Sequence, residues 1–139
     1  MLSDDQCRTL HCLAGMMIPA SAEYGVPSAA DDAIFADILR SFGRDEPHVL
    51  AVLQELEGFA DLNPAQREAK AAQLRERGGD ALLGLSRVIL QCYYRDDRVM
   101  RALGMEARPP FPKGHEVEQG DWSLLDPVRA RPKLYREAR

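Results

Sequence analysis

Cys7 and His11 are four residues apart, with Cys12 adjoining, and thiols and imidazoles at helical spacing are the ordinary ligands of a transition metal. Two ligands on one face fall short of the three or four protein ligands that a zinc site uses. His48 and His115 lie on other elements, Cys92 is remote, and no CxxC or HExxH occurs. A buried packing role for the cysteines is the stronger reading. Carboxylates are paired at Asp31-Asp32 and Asp96-Asp97. General acid–base work needs a pocket that shifts the pKa of one member. Both pairs stand instead where a helix should begin, and there a negative charge is favoured by the helix dipole. Ser86 has no G-x-S-x-G elbow around it, and Gly78-Gly79 is too short to cradle a phosphate. The residues therefore assign no catalytic, cofactor-binding or metal-binding position.

Aromatic and basic residues point to contacts. Tyr93 and Tyr94 close a long apolar run, each an apolar ring with a hydroxyl that needs a partner or water. One reading makes them core and lid, covered by a proline-rich arm. The other makes them an interface, since Tyr, Trp and Arg dominate binding hot spots. Both hold together if one tyrosine faces inward and its neighbour outward. The candidate partner-binding residues are Tyr94, Phe111 and Trp122, with Arg129, Arg131 and Lys133 at a basic rim.

The elements that must position these residues read as helices. Ser3 with Gln6 forms a capping-box pattern before a helix whose apolar face is Leu10, Leu13, Met17 and Ile18, ended by Pro19. Residues 19–30 read as a surface loop. A second helix starts near Asp31 and presents Ile34, Phe35, Ile38 and Leu39. Asp45 should cap a third, with Pro47 in its first turn and the stripe Val49, Leu50, Leu53 and Leu56, extending to Phe59. Asn63-Pro64 with Gln66 opens a fourth, polar helix over the bundle surface, with Leu74 its one large apolar residue. Asp80 should cap the central helix, apolar on nearly every side and so expected to be surrounded. After a tight corner at Arg95-Asp96-Asp97, a short helix carries Val99, Met100 and Leu103 to Gly104. The expected fold is an all-α bundle of five to six helices over residues 1–105. Residues 106–139, dense in proline, form a long irregular, extended arm over the bundle, a partner or both.

The run Cys92 to Val99, then Ala102-Leu103-Gly104-Met105 and Pro112-Lys113-Gly114, is similar to the ending of the gluconate 2-dehydrogenase subunit 3 family. Leu10–Pro19 followed by Ala33–Leu39 resembles that family's opening helix, loop and second helix. The resemblance covers most of the chain. It implies a small, non-catalytic subunit that binds and stabilises the large flavin-containing subunit of a sugar or alcohol oxidoreductase, a GMC-type flavoprotein. FAD would then be held by that partner and not by this chain. The alternative is a free-standing helical adaptor or regulator with no oxidoreductase link.

With 139 residues, one domain with a real core is expected. Net charge −4 argues against a nucleic-acid partner, and no run reaches the roughly 18 apolar residues of a transmembrane helix. Three cysteines without paired spacing suggest reduced thiols. The start has no basic n-region or twin arginine, where many members of the family carry an export signal. That favours the cytoplasm, with the periplasm as the alternative if the protein is exported on a partner or its signal has been removed.

Overall fold

Local start signals account for most helix boundaries in the computed structural model, which describes residues 2–109, 111, 113–114 and 118–132. The described residues form seven α-helices and no strand, an all-helical bundle with a C-terminal arm. They divide into two compact units, Met1–Arg108 and Pro109–Arg139. None of the described helices is long and apolar enough to cross a membrane.

Helix α1 (Asp4–Met17) begins at a complete capping box. Ser3 Oγ accepts from the Gln6 amide, and Gln6 Oε1 accepts from the Ser3 amide. It buries Thr9, Leu10, Leu13 and Ala14, while Met17 is exposed, contrary to the expected stripe. The following segment folds back on the helix end. Ser21 and Val26 exchange backbone hydrogen bonds, and the Ala29 amide and Ser28 hydroxyl both donate to Ile18 O. Ala29 is fully buried, so the expected surface loop is in part core.

Helix α2 (Asp32–Arg40) is capped by Asp31, whose carboxylate accepts from the Ala33 amide at 3.1 Å. It buries Ile34 and Ile38 but leaves Leu39 exposed. A 3-10 turn, Gly43–Asp45, leads into α3 (Glu46–Glu55). Asp45 stands at the cap position without capping: its carboxylate instead accepts from Arg87 Nη1 at 2.7 Å. The guanidinium satisfies a carboxylate that is only 5% exposed, which the helix amides do not. Val52, rather than Leu50, completes the inner face of α3. Helix α4 (Pro64–Arg77) starts at the Asn63–Gln66 capping box and buries only Ala71 and Leu74. Its last turn is tied to α3 by Arg77, which holds both oxygens of Glu55 at 2.5 and 2.7 Å.

Helix α5 (Asp80–Tyr94) makes its most extensive contact with α3 and also meets α2, α6 (Asp97–Ala102) and the Gly43–Asp45 turn. It is not surrounded. Leu85, Val88, Ile89, Cys92 and Tyr93 face inward, whereas Leu83 and Leu90 lie exposed on the other side. Its N-cap is Gly79 at φ 99°, a conformation that suits glycine, and Asp80 is the first helical residue rather than the cap. Gly84 allows α3 to pass closely: a Cβ placed there would lie 2.6 Å from His48 Cβ.

In the second unit, Asp121 accepts from the Ser123 amide and hydroxyl and opens a 3-10 turn, Trp122–Leu125. The turn continues into the one-turn helix α7 (Asp126–Arg129), with Pro127 in its first turn. A stretch expected to be extended therefore contains a self-capped helical segment.

Two substitutions test the α3–α5 contact. Ile89→Ala should destabilise the chain by about 2–5 kcal/mol by opening a cavity. Gly84→Val should cost about 1–3 kcal/mol by overpacking against His48. Urea unfolding measures both; an unchanged midpoint for Gly84→Val means that the helices do not pass this closely.

Candidate functional site

The corner from Cys92 to Val99 brings together side chains that are distant in sequence. Its geometry follows from where α5 must stop. Tyr93 is on the buried face of α5, and its hydroxyl donates to Pro27 O at 3.2 Å, pinning the 19–31 segment. Burial pushes its phenol pKa up. Tyr94 is exposed and packs edge-on against Tyr93, with ring centroids 5.2 Å apart. One tyrosine faces inward and the other outward.

Two arginines then clamp α2. Arg95 donates through Nε to Asp37 Oδ2 at 2.6 Å and through Nη2 to Ser41 Oγ at 2.5 Å. The same Nη2 lies 3.6 Å from Cys92 Sγ, a buried thiol whose pKa is raised by loss of solvent. Arg98 holds two carboxylates at once. Its Nη2 and Nη1 reach Asp31 at 2.6 and 3.1 Å, and its Nε and Nη2 reach Asp96 at 3.0 and 3.1 Å. Asp96 is the N-cap of α6 and also accepts from the Arg98 amide at 2.9 Å. Asp97 pairs with Arg101 one turn on.

The electrostatics of this corner are those of fixed anions. Hydrogen bonds from Arg98 hold Asp31 and Asp96 below the usual carboxylate range, and Arg95 does the same for Asp37. Their partners raise the pKa of Arg95 and Arg98. A carboxylate with a depressed pKa is a poor proton carrier near neutrality, where general acids and bases operate best with a pKa close to the working pH. The arrangement suits holding helices together.

Elsewhere, Cys7, His11 and Cys12 line a shallow depression with Arg8, Phe35 and Ala60, and the His11 ring sits edge-on to Phe35 at 4.9 Å. Among the described residues, no group of three or more His, Cys, Asp or Glu side chains is placed to hold a metal ion. All three cysteines are free. A half-open apolar groove of about 150 Å³ runs between α1, α4 and α5, lined by Met16, Met17, Leu74, Leu82, Ser86 and Ile89.

Of the candidate partner-binding residues, Tyr94 belongs to the helical unit, and Phe111, Trp122, Arg129 and Arg131 to the second unit. All five are exposed, and Arg129 Nη1 also pairs with Asp126 at 3.2 Å. Lys133 lies outside the described residues, as do Pro112 and His115. Sequence reading missed the Arg98–Asp31 and Arg87–Asp45 pairs. The available signal was an aspartate at each helix start with an arginine nearby, which does not name the partner.

The depressed carboxylates fix the pH dependence. A group whose folded pKa is lowered contributes stability above its unfolded pKa and loses it as pH falls through the folded value. Asp31, Asp37 and Asp96 should therefore stabilise the fold fully at neutral pH and lose that contribution progressively as pH falls from the ordinary aspartate value of 3.8 through their lowered folded values. Arg98→Met should lower stability at pH 7 by about 1 kcal/mol, the effect of half-exposed ion pairs being reduced by solvent screening. It should also flatten the acid limb of the stability profile. Equal acid limbs in thermal melts of the two proteins would show that Arg98 does not hold these carboxylates.

Comparison of the chain with family models, with curated proteins and with solved structures gives no match in any of the three.

Proposed function

We propose that this chain is a non-catalytic small subunit that binds and stabilises the flavin-containing large subunit of a sugar or alcohol oxidoreductase. The observation that carries the reading is the division of labour around the resembling motif. Tyr93, Arg95, Asp96 and Arg98 are engaged in holding the chain's own helices, while Tyr94, Phe111 and Trp122 are exposed. A motif built of structural residues fits a family whose members act by shape rather than by chemistry.

In this reading Trp122 is the anchor, because a Trp entering a desolvated pocket is among the strongest hot-spot types. Asp121 has already shaped the turn that presents it, which reduces the ordering entropy lost on binding. Arg129, Arg131 and Lys133 act at the rim, on association rate and salt sensitivity. The large subunit holds FAD, and the small subunit stabilises its folded form by mass action. The complex works in the cytoplasm, or in the periplasm where the chain travels with an exported partner.

The test is affinity purification of the tagged full-length chain from its native host, with absorption spectroscopy of whatever accompanies it. A stoichiometric large protein with an oxidised-flavin spectrum is expected, and Trp122→Ala should reduce its recovery about tenfold without moving the melting temperature of the free chain. Recovery of a flavin-free partner would favour the helical adaptor instead.

A further inference from the structure

The helical segment of the second unit buries none of its apolar side chains. Trp122 is 60% exposed, Leu124 74%, Leu125 41% and Val128 54%. Asp121 opens the 3-10 turn Trp122–Leu125, and α7 carries it on to Arg129. Side chains three residues apart eclipse in a 3-10 turn. One row therefore runs through Trp122, Leu125 and Val128, and a second through Leu124, Pro127 and Ala130. The remaining row is Ser123, Asp126 and Arg129, all of it polar. Two sides are apolar and one is polar, the pattern of a segment that lies in a boundary between water and oil.

From this segment and the residues that follow it, we propose that the second unit docks on the surface of an anionic phospholipid bilayer. The apolar rows enter the headgroup layer, a level at which an indole ring is favoured. The polar row faces water and is satisfied within the segment. Asp126 Oδ1 accepts from Arg129 Nη1 at 3.2 Å, and Ser123 Oγ donates to Asp121 at 2.6 Å. Neither carboxylate is carried toward the headgroups without a partner. After Arg129 come Arg131, Lys133, Arg136 and Arg139, opposed by Glu137 alone.

Charge selects the occupant. An anionic leaflet spreads its negative charge over a plane, so it meets a run of cations whatever path the chain takes. A protein groove would have to place a counter-charge for each. The rest of the chain is acidic, so attraction to such a surface is confined to this end. The apolar rows are too short to anchor the chain by themselves, and a basic run holds only to anionic lipid; reversible attachment takes the two together. The segment meets one surface at a time, so a large subunit that holds Trp122 closes the lipid site.

The inference does not rest on the flavoprotein reading, and it is tested on the purified full-length chain with protein-free vesicles. Trp122 is the single Trp of the chain, so its fluorescence reports the contact directly. Phosphatidylcholine vesicles with about 30 mol % phosphatidylserine should shift its emission to the blue and carry the chain down on sedimentation. Salt at about 0.5 M should release it, and pure phosphatidylcholine should bind about tenfold less. Leu125→Glu, and Arg131→Gln made together with Lys133→Gln, should each lower binding about tenfold or more without altering the circular dichroism melt. Leu83→Glu, exposed on α5, should bind as the wild type does. Emission unmoved by anionic vesicles overturns the proposal, as does binding that ignores lipid charge or either variant in the second unit. A chain that leaves vesicles alone yet is retained by a protein through Trp122 overturns it too, and gives the segment to that partner.

Discussion

Arg98 binds Asp31 and Asp96 together, and each of those carboxylates is also the N-cap of a helix. Helix α2 has nine residues and α6 has six, both shorter than the roughly 12–15 residues at which an isolated helix becomes even marginal in water. Neither could hold its place by propensity. A single guanidinium joins the two starts, and Arg95 ties the middle of α2 to the end of α5 through Asp37. The short helices are thus positioned by ion pairs at their edges and by Ile34, Ile38 and Val99 at their centres. Tyr93 adds the third fixing point by reaching Pro27 on the segment before α2.

That corner rests on a closer constraint, the passage of α3 over α5 at Gly84. With no Cβ at Gly84 the two helices approach closely enough for Val49, Val52 and Leu53 to join Leu85, Val88 and Ile89 in one core. Because α5 spends its inner face on α3 and α2, its outer leucines are left for another surface. The same division appears at the two tyrosines, where the inner ring is committed to the fold and the outer ring is available. What is available for binding in this unit is therefore what remains after α5 has organised it.

Start signals in the sequence were legible because they are local. Ser3 with Gln6, Asp31 before Ala33, and Asn63-Pro64 with Gln66 each act within one turn, and each was found where expected. The inward and outward pair Tyr93 and Tyr94 was also anticipated as a possibility. Asp45 was misread because its partner, Arg87, is 42 residues away and replaces a capping bond that the local pattern favoured. Helix α5 was misread for a related reason: leucines on both sides look alike in sequence, and only the packing of α3 decides that Leu85 is core and Leu83 is not. The Arg98–Asp31 pair, 67 residues apart, could not be named from either end. In the arm, the count of prolines argued against a long helix but gave no warning of the turn that Asp121 caps.

The Tyr93–Val99 motif works as a clasp between helices. A double-mutant cycle on Asp31 and Arg98, with Asp31→Asn and Arg98→Met made singly and together, separates their pairing from the capping that Asp31 also performs. Measured by urea unfolding at pH 7 and low salt, the cycle should give a coupling energy of at least about 0.5 kcal/mol, shrinking as salt is added. Strictly additive effects, with no salt dependence, would contradict the account.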